Sequence, residues 1–283
     1  MLSVLLGLAG AIIYGASDFF GGMAARRVSA VRVTAINSVV GFLALAVGSL
    51  LLPTKWSQEA VITGVLIGVA GAAALVLLYA CLAIGPMSIL SPILALVAAV
   101  VPITVDFVRG ERLSPAGNAG LVVGLVAIIL ICLVPGAGAV RPSARGILMA
   151  VGSGLAIGAY LVLIDLSPAD SGPAPLVVCF AVTGLLMGAI LLVAAARRRL
   201  PAERARGTVL LLAVLCGVTD AAAALLFLLA LRAGDLSVVS VLNALAPAGT
   251  IILAAIVLKE RIAVVQWVGL AVALVAAALL ALA

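Results

Sequence analysis

Histidine is absent from the 283 residues. That excludes zinc sites of the His-Glu-x-x-His kind, Ser-His-Asp and Cys-His nucleophiles, and haem held through histidine. Charge is scarce as well: 9% of the residues are charged, against roughly 25% in soluble domains, while 66% are hydrophobic. So little charge does not coat a soluble surface at this length, and the bilayer becomes the outer solvent. The four cysteines, Cys81, Cys132, Cys179 and Cys216, each stand alone in an apolar run, as packed thiols do, and indicate no disulfide or metal framework. No "GxxxxGK[ST]" phosphate loop or soluble nucleotide domain is present, which argues against ATP hydrolysis by this chain.

What is there is apolar length. A spanning helix needs about 20 apolar residues, and the chain divides into ten such runs, near 2–23, 31–52, 60–83, 87–108, 115–134, 146–166, 174–196, 207–231, 236–258 and 263–282. Met1 leads directly into apolar sequence with no basic n-region, so the first run is read as a span rather than a cleaved leader. Gly, Pro and charge clusters punctuate the runs, and Ser114-Pro115 reads as an N-cap followed by proline at the first helical position. None of the runs alternates with period two, which removes a membrane β-barrel. The expected fold is all-α.

Gly85 to Leu130 laid on Gly234 to Leu279, an offset of 149, gives 17 identities in 46 positions, where composition alone gives roughly five or six; this marks an internal repeat. The polar matches weigh most: Ser88 with Ser237, Ser91 with Ser240, Glu111 with Glu260, and Arg112 with Arg261. Earlier in each half, "YGAS" at Tyr14 lies against "IGAY" at Ile157. The chain is thus read as two five-helix units, residues 1–140 and 141–283. Five is odd, so the second unit enters the membrane from the opposite side, an inverted repeat about an axis in the membrane plane. The pairs Glu111-Arg112 and Glu260-Arg261 then cap equivalent helix hairpins on opposite sides, as structural anchors rather than gating elements.

With the N-terminus outside, cytoplasmic gaps hold twelve of the 16 basic residues, among them Arg26, Arg27, Arg141, Arg145 and Arg197; Lys55, Arg109, Arg112 and Arg232 fall opposite. Basic residues in the gaps read as membrane topology, not nucleic-acid binding, and place both termini outside.

The stretches "YGASDFFGGMAARRVSA", "CLAIGPMSILSPI", "VRGERL", "GVTDAAAALLFLLALRAGDLSVVSVL" and "LKERI" resemble the EamA family of the drug/metabolite transporter superfamily over essentially the whole chain. The resemblance implies a secondary transporter, mostly an exporter of amino acids, metabolites or drugs. It also implies a central cavity lined by helices 1 to 4 and 6 to 9, with 5 and 10 outside. Many relatives have cytoplasmic termini; the charge count is followed instead, because insertion machinery responds to basic loops.

Carboxylates within lipid are costly and therefore functional candidates. Asp220 lies about 13 residues into the eighth run, near the midplane, with no basic residue within a helical turn. It is a candidate proton carrier or substrate contact. Gly71 is its counterpart in the first half. Asp18, one turn beyond Tyr14, shares a helix face with it, or pairs with Arg26 or Arg27. Asn37, Asn243, Ser240 and Tyr160 offer neutral polar groups at membrane depth, for substrate or as interhelical glue. Asp106 reads as the ion-pair partner of Arg109, and Asp165 and Asp170 as solvated. With only two Trp, three Tyr and six Phe, a small polar or aliphatic metabolite suits the cavity better than an aromatic one. No cofactor or metal is expected. The partners are the bilayer, a small-molecule substrate and protons, and the chain acts as a monomer in the cell membrane. A membrane enzyme or a non-transporting scaffold are the alternatives.

Overall fold

The computed structural model describes residues 1–84, 87–110, 114–132, 143–197, 207–257 and 264–281. Among the described residues every regular element is a helix. They are α1 (Leu2–Ala25), α2 (Ala30–Leu51), α3 (Gln58–Ile84), α4 (Met87–Arg109), α5 (Pro115–Cys132), α6 (Ala144–Asp165), α7 (Ala174–Ala196), α8 (Gly207–Ala233), α9 (Leu236–Asn243), α10 (Ala246–Val257) and α11 (Val264–Ala281), with a 3-10 turn at Ala169–Ser171. Six of them, α1, α2, α3, α6, α7 and α8, are long and apolar enough to cross a membrane. The chain is a polytopic membrane protein. Ser114 starts α5 as expected, its Oγ accepting from the Gly117 N–H at 3.1 Å, and Ser143 Oγ starts α6 likewise from Gly146.

The ninth run departs from the expected single rod. It is two helices, α9 and α10, joined by a turn at Ala244 and Leu245. Pro247 contributes to the break, having no N–H to offer the Asn243 carbonyl four residues back and a ring that crowds it, although α4 carries Pro102 in its interior and runs on. The backbone tightens instead, the Leu245 N–H donating to Leu242 O at 3.1 Å and the Ala248 N–H to Leu245 O at 2.9 Å. At the offset of 149 the matching position is Ala98, and α4 runs unbroken past it.

Contacts between loops fix the sense of the two halves. The start of α1 meets the α8–α9 junction, where Ser3 packs on Gly234. Beyond the end of α2, Lys55 pairs with Asp170, beyond the end of α6; Arg109, closing α4, pairs with Asp165, closing α6. So α6 ends on the face where α1 begins. On the other face, the start of α6 at Gly146 packs on Leu90 near the start of α4, and its carbonyl accepts from Cys81 Sγ at 3.7 Å. The halves are inverted. Packing follows the same symmetry: α1 against α8 mirrors α6 against α3, α2 against α8 mirrors α7 against α3, and α1 against α10 mirrors α6 against α4. Two pairs, α2 with α7 and α5 with α11, lie across the axis itself.

Small residues permit these close crossings. A Cβ on Gly68 would stand 2.8 Å from the Cys179 carbonyl of α7, and one on its repeat counterpart, Gly217, would stand 2.8 Å from the Asn37 carbonyl of α2. Gly158 meets Val101 of α4 in the same way, and its counterpart Gly15 meets the backbone of α10 at Ala246 and Thr250.

Candidate functional site

At the centre of the bundle, α8 turns Asp220 toward α1 and α2. The carboxylate is 3% exposed, and its Oδ2 accepts from the Asn37 amide nitrogen at 2.7 Å. Asn37 is fully buried because Gly217, one turn before Asp220, lets α2 press against α8. Tyr14 on α1 brings its hydroxyl beside the same carboxylate and beside the Tyr160 hydroxyl of α6, in looser polar contacts than the Asn37 bond. Its ring lies against Phe227, with centroids 5.4 Å apart. Asp18, one turn along α1, is within electrostatic range of Asp220. Among the described residues, no lysine or arginine acts on either carboxylate. Both therefore meet inside the bundle without a counter-charge.

A second polar layer lies one turn nearer the Arg26 face. Ser17 donates to the Cys216 carbonyl at 3.1 Å, and Cys216 Sγ stands 3.4 Å from Ser17 Oγ and 3.3 Å from the Tyr79 hydroxyl. All three tyrosines of the chain thus sit on this polar core. On the side of α2 that meets α7 and α8, Thr34 Oγ1, Asn37 Oδ1 and Ser38 Oγ are buried with no hydrogen-bond partner among the described residues. Tyr160 packs over Gly71, a Cβ on which would lie 3.5 Å from its ring. Where the second half carries the carboxylate, the first leaves room for an aromatic ring. Among the described residues no group of three His, Cys, Asp or Glu side chains is arranged to hold a metal ion.

The model of the EamA-like transporter family matches residues 1–133 and again 144–282. The chain belongs to this family. It is accordingly a membrane transporter of the drug/metabolite type, folded as two matching units. No curated protein matches it. A solved structure described as "Crystal structure of protein" superposes with a TM-score of 0.78 at 19% identity, covering 99% of this chain and 96% of that one, which shows a shared fold.

Within this EamA-like bundle the polar residues singled out from the sequence separate into two groups. Asp220, Asn37, Tyr14, Tyr160 and Asp18 come together. Ser240 does not join them: its hydroxyl donates to the Leu236 carbonyl of its own helix at 2.6 Å. Asn243 ends α9 at the break, and among the described residues no hydrogen bond links it to the cluster. Glu111, Arg112, Glu260 and Arg261 lie outside the described residues. Ser17, Cys216 and Tyr79 were not singled out; a serine and a cysteine on apolar helices look like packing until the partner helix is known.

The face where α1 begins is tied by polar links, three of them between the halves and one, from Arg232, within the second. Asp106 does not rest mainly on Arg109, 3.7 Å away; its Oδ2 takes both the N–H and the O–H of Ser237, each at 2.6 Å. Asp165 is half-buried and pairs with Arg109 at 2.7 Å. Arg232 donates to Ser167 Oγ at 2.6 Å and to the Pro168 carbonyl at 3.2 Å. Lys55 pairs with Asp170 at 3.0 Å, and its hydrogen bond and charge hold the Asp170 carboxyl below its ordinary value.

Proposed function

We propose that the chain is a secondary active carrier of the cell membrane. It exports a small metabolite, amino acid or drug by alternating access, in exchange for protons taken up at Asp220. The hydrogen bond from Asn37 in the first half to Asp220 in the second supports this most directly. Rocking one half against the other strains that bond. A proton on the carboxylate weakens it by removing the charge, and loss of the proton restores it. Occupancy of Asp220 and exposure of the site to either side are therefore linked. One chain supplies both halves, so a monomer suffices and no covalent chemistry is needed. The charge count puts the Arg26 face in the cytoplasm, and Asp18 then lies on the cytoplasmic approach to Asp220.

Reconstituted into liposomes, the protein is expected to move solutes from a panel of amino acids, amines and other metabolites faster with a pH gradient than without one. Asp220→Asn should remove the effect of the gradient. Proton-driven transport that survives this substitution overturns the coupling. A C-terminal reporter that fluoresces only in the cytoplasm and lights up there overturns the orientation.

A further inference from the structure

The central site asks for donors and positive charge. Two carboxylates, Asp220 and Asp18, face one region with no lysine or arginine acting on either among the described residues. Asn37 adds an independent observation. Its amide nitrogen is committed to Asp220 Oδ2 at 2.7 Å, which fixes the amide orientation while Asp220 is ionised, since the reverse would set its oxygen against a carboxylate oxygen. Its Oδ1, on the same amide group, is then a fully buried acceptor with no partner among the described residues. An acceptor buried without a donor is destabilising, so the site gains from a ligand that brings an N–H. The ring of Tyr14, whose hydroxyl lies beside the same carboxylate, adds an aromatic face, and aromatic faces attract cations. Among the described residues, therefore, no lysine or arginine beside these carboxylates offers to receive a carboxylate or phosphate from the ligand.

Resting on the reading of this junction as the transport site, we propose that the substrate is a protonated primary amine without a carboxylate. Its ammonium group is held between Asp220 and Asn37 Oδ1, with Asp18 as the second anionic neighbour. The sparse aromatic content of the whole chain is therefore a poor guide, because the tyrosines that exist are concentrated here.

The test is binding to the full chain purified in detergent at neutral pH, by calorimetry. The probes are butylammonium, tetramethylammonium, leucine and butyrate. Butylammonium is expected to bind. Leucine and butyrate, whose carboxylates find no cation, should bind at least about tenfold more weakly, as should tetramethylammonium, which has the charge but no N–H to donate. Asn37→Leu should weaken butylammonium about tenfold and leave tetramethylammonium unchanged. Leucine or butyrate binding as tightly as butylammonium, or no binding of butylammonium, overturns the proposal, as does a folded Asn37→Leu protein with unaltered selectivity. If that variant does not fold, the four-probe comparison on the unmodified chain still decides. Transport of a zwitterion or neutral solute without amine binding sinks the amine class and spares the carrier. Amine binding with no transport of any solute does the reverse.

Discussion

Asp106 of α4 holds Ser237 of α9 twice, taking its backbone N–H and its hydroxyl on the same carboxylate oxygen at 2.6 Å. Ser237 lies in the first turn of α9, where free N–H groups and the helix dipole favour a negative charge. The bond joins the two halves 131 residues apart and is buried, Asp106 being 4% exposed. It is the innermost of the links that tie the face where α1 begins, with Arg109–Asp165 and Lys55–Asp170 outside it. For the site to open to that face, these links must part.

Removing one of the two bonds should therefore bias the carrier toward opening there. Ser237→Ala deletes the hydroxyl and keeps the backbone bond. A hydrogen bond to a charged group contributes about 1.5–3 kcal/mol, so the ratio of open to closed should rise roughly ten- to a hundredfold. The check is alkylation of a cysteine at Val239, which is fully buried on α9, in a chain without its native cysteines. Labelling by an impermeant maleimide should speed up at least about tenfold. An unchanged rate would mean that this contact does not hold the face shut.

The outer links should differ among themselves. Lys55 and Asp170 are 72% and 66% exposed, so their pair is screened by salt and adds little. Because the Asp170 carboxyl is held below its ordinary value, the pair contributes at pH above that value and is lost as pH falls through the lowered one. Arg109 and Asp165 are 30% and 22% exposed, and less screened. Arg109→Gln should raise the labelling rate at Val239 more than Lys55→Gln does. The Lys55→Gln effect should vanish at high salt, while that of Arg109→Gln persists. Equal effects at all salt concentrations would contradict this ranking.

Gly217 tests how the crossing of α2 and α8 serves the site. A methyl group there would come within 2.8 Å of the Asn37 carbonyl and 2.7 Å of Val40 Cβ, both part of α2 itself, so the helix has to move. Gly217→Ala should cost about 1–3 kcal/mol of stability by overpacking, and the Asn37–Asp220 bond should lengthen with it. Gly188, with open space around it on α7, is the control: Gly188→Ala should leave both the melting temperature and transport nearly unchanged. If the two alanine variants behave alike, packing at 217 does not set the site.

Much of this was legible because lipid makes simple demands. Ten apolar runs of spanning length, and 17 identities at a single offset, were enough for an inverted all-helical repeat. Asp220, Asn37, Tyr14 and Tyr160 stood out because a polar group in a lipid-spanning run needs a reason, and their convergence follows from it. Tertiary pairing between distant helices has no such period. Nothing local in α9 announces that Ser237 meets Asp106, or in α6 that Asp165 meets Arg109. The same holds for Ser17 with Cys216, 199 residues away. The break at Ala244 and Leu245 had a local signal in Pro247, but the hydropathy of the run concealed it.

That break offers the last prediction. Thr250 Oγ1 donates to the Gly15 carbonyl at 2.9 Å, and the Ala246 carbonyl presses on Gly15, so the start of α10 buttresses α1 one residue after Tyr14. Pro247→Ala returns an N–H to the Asn243 carbonyl and removes the ring that crowds it, which lets α9 and α10 fuse into a rod like α4. Fusion straightens the helix axis and moves Ala246 and Thr250 relative to Gly15, so Tyr14 should shift from Asp220. The expected signs are hydrogen exchange slowed about fivefold at residues 244–248, for about 1 kcal/mol of added bonding, together with weaker substrate binding in a protein that is no less stable. If exchange there is unchanged, proline is not what breaks the helix. If exchange slows while binding holds, the break does not serve the site.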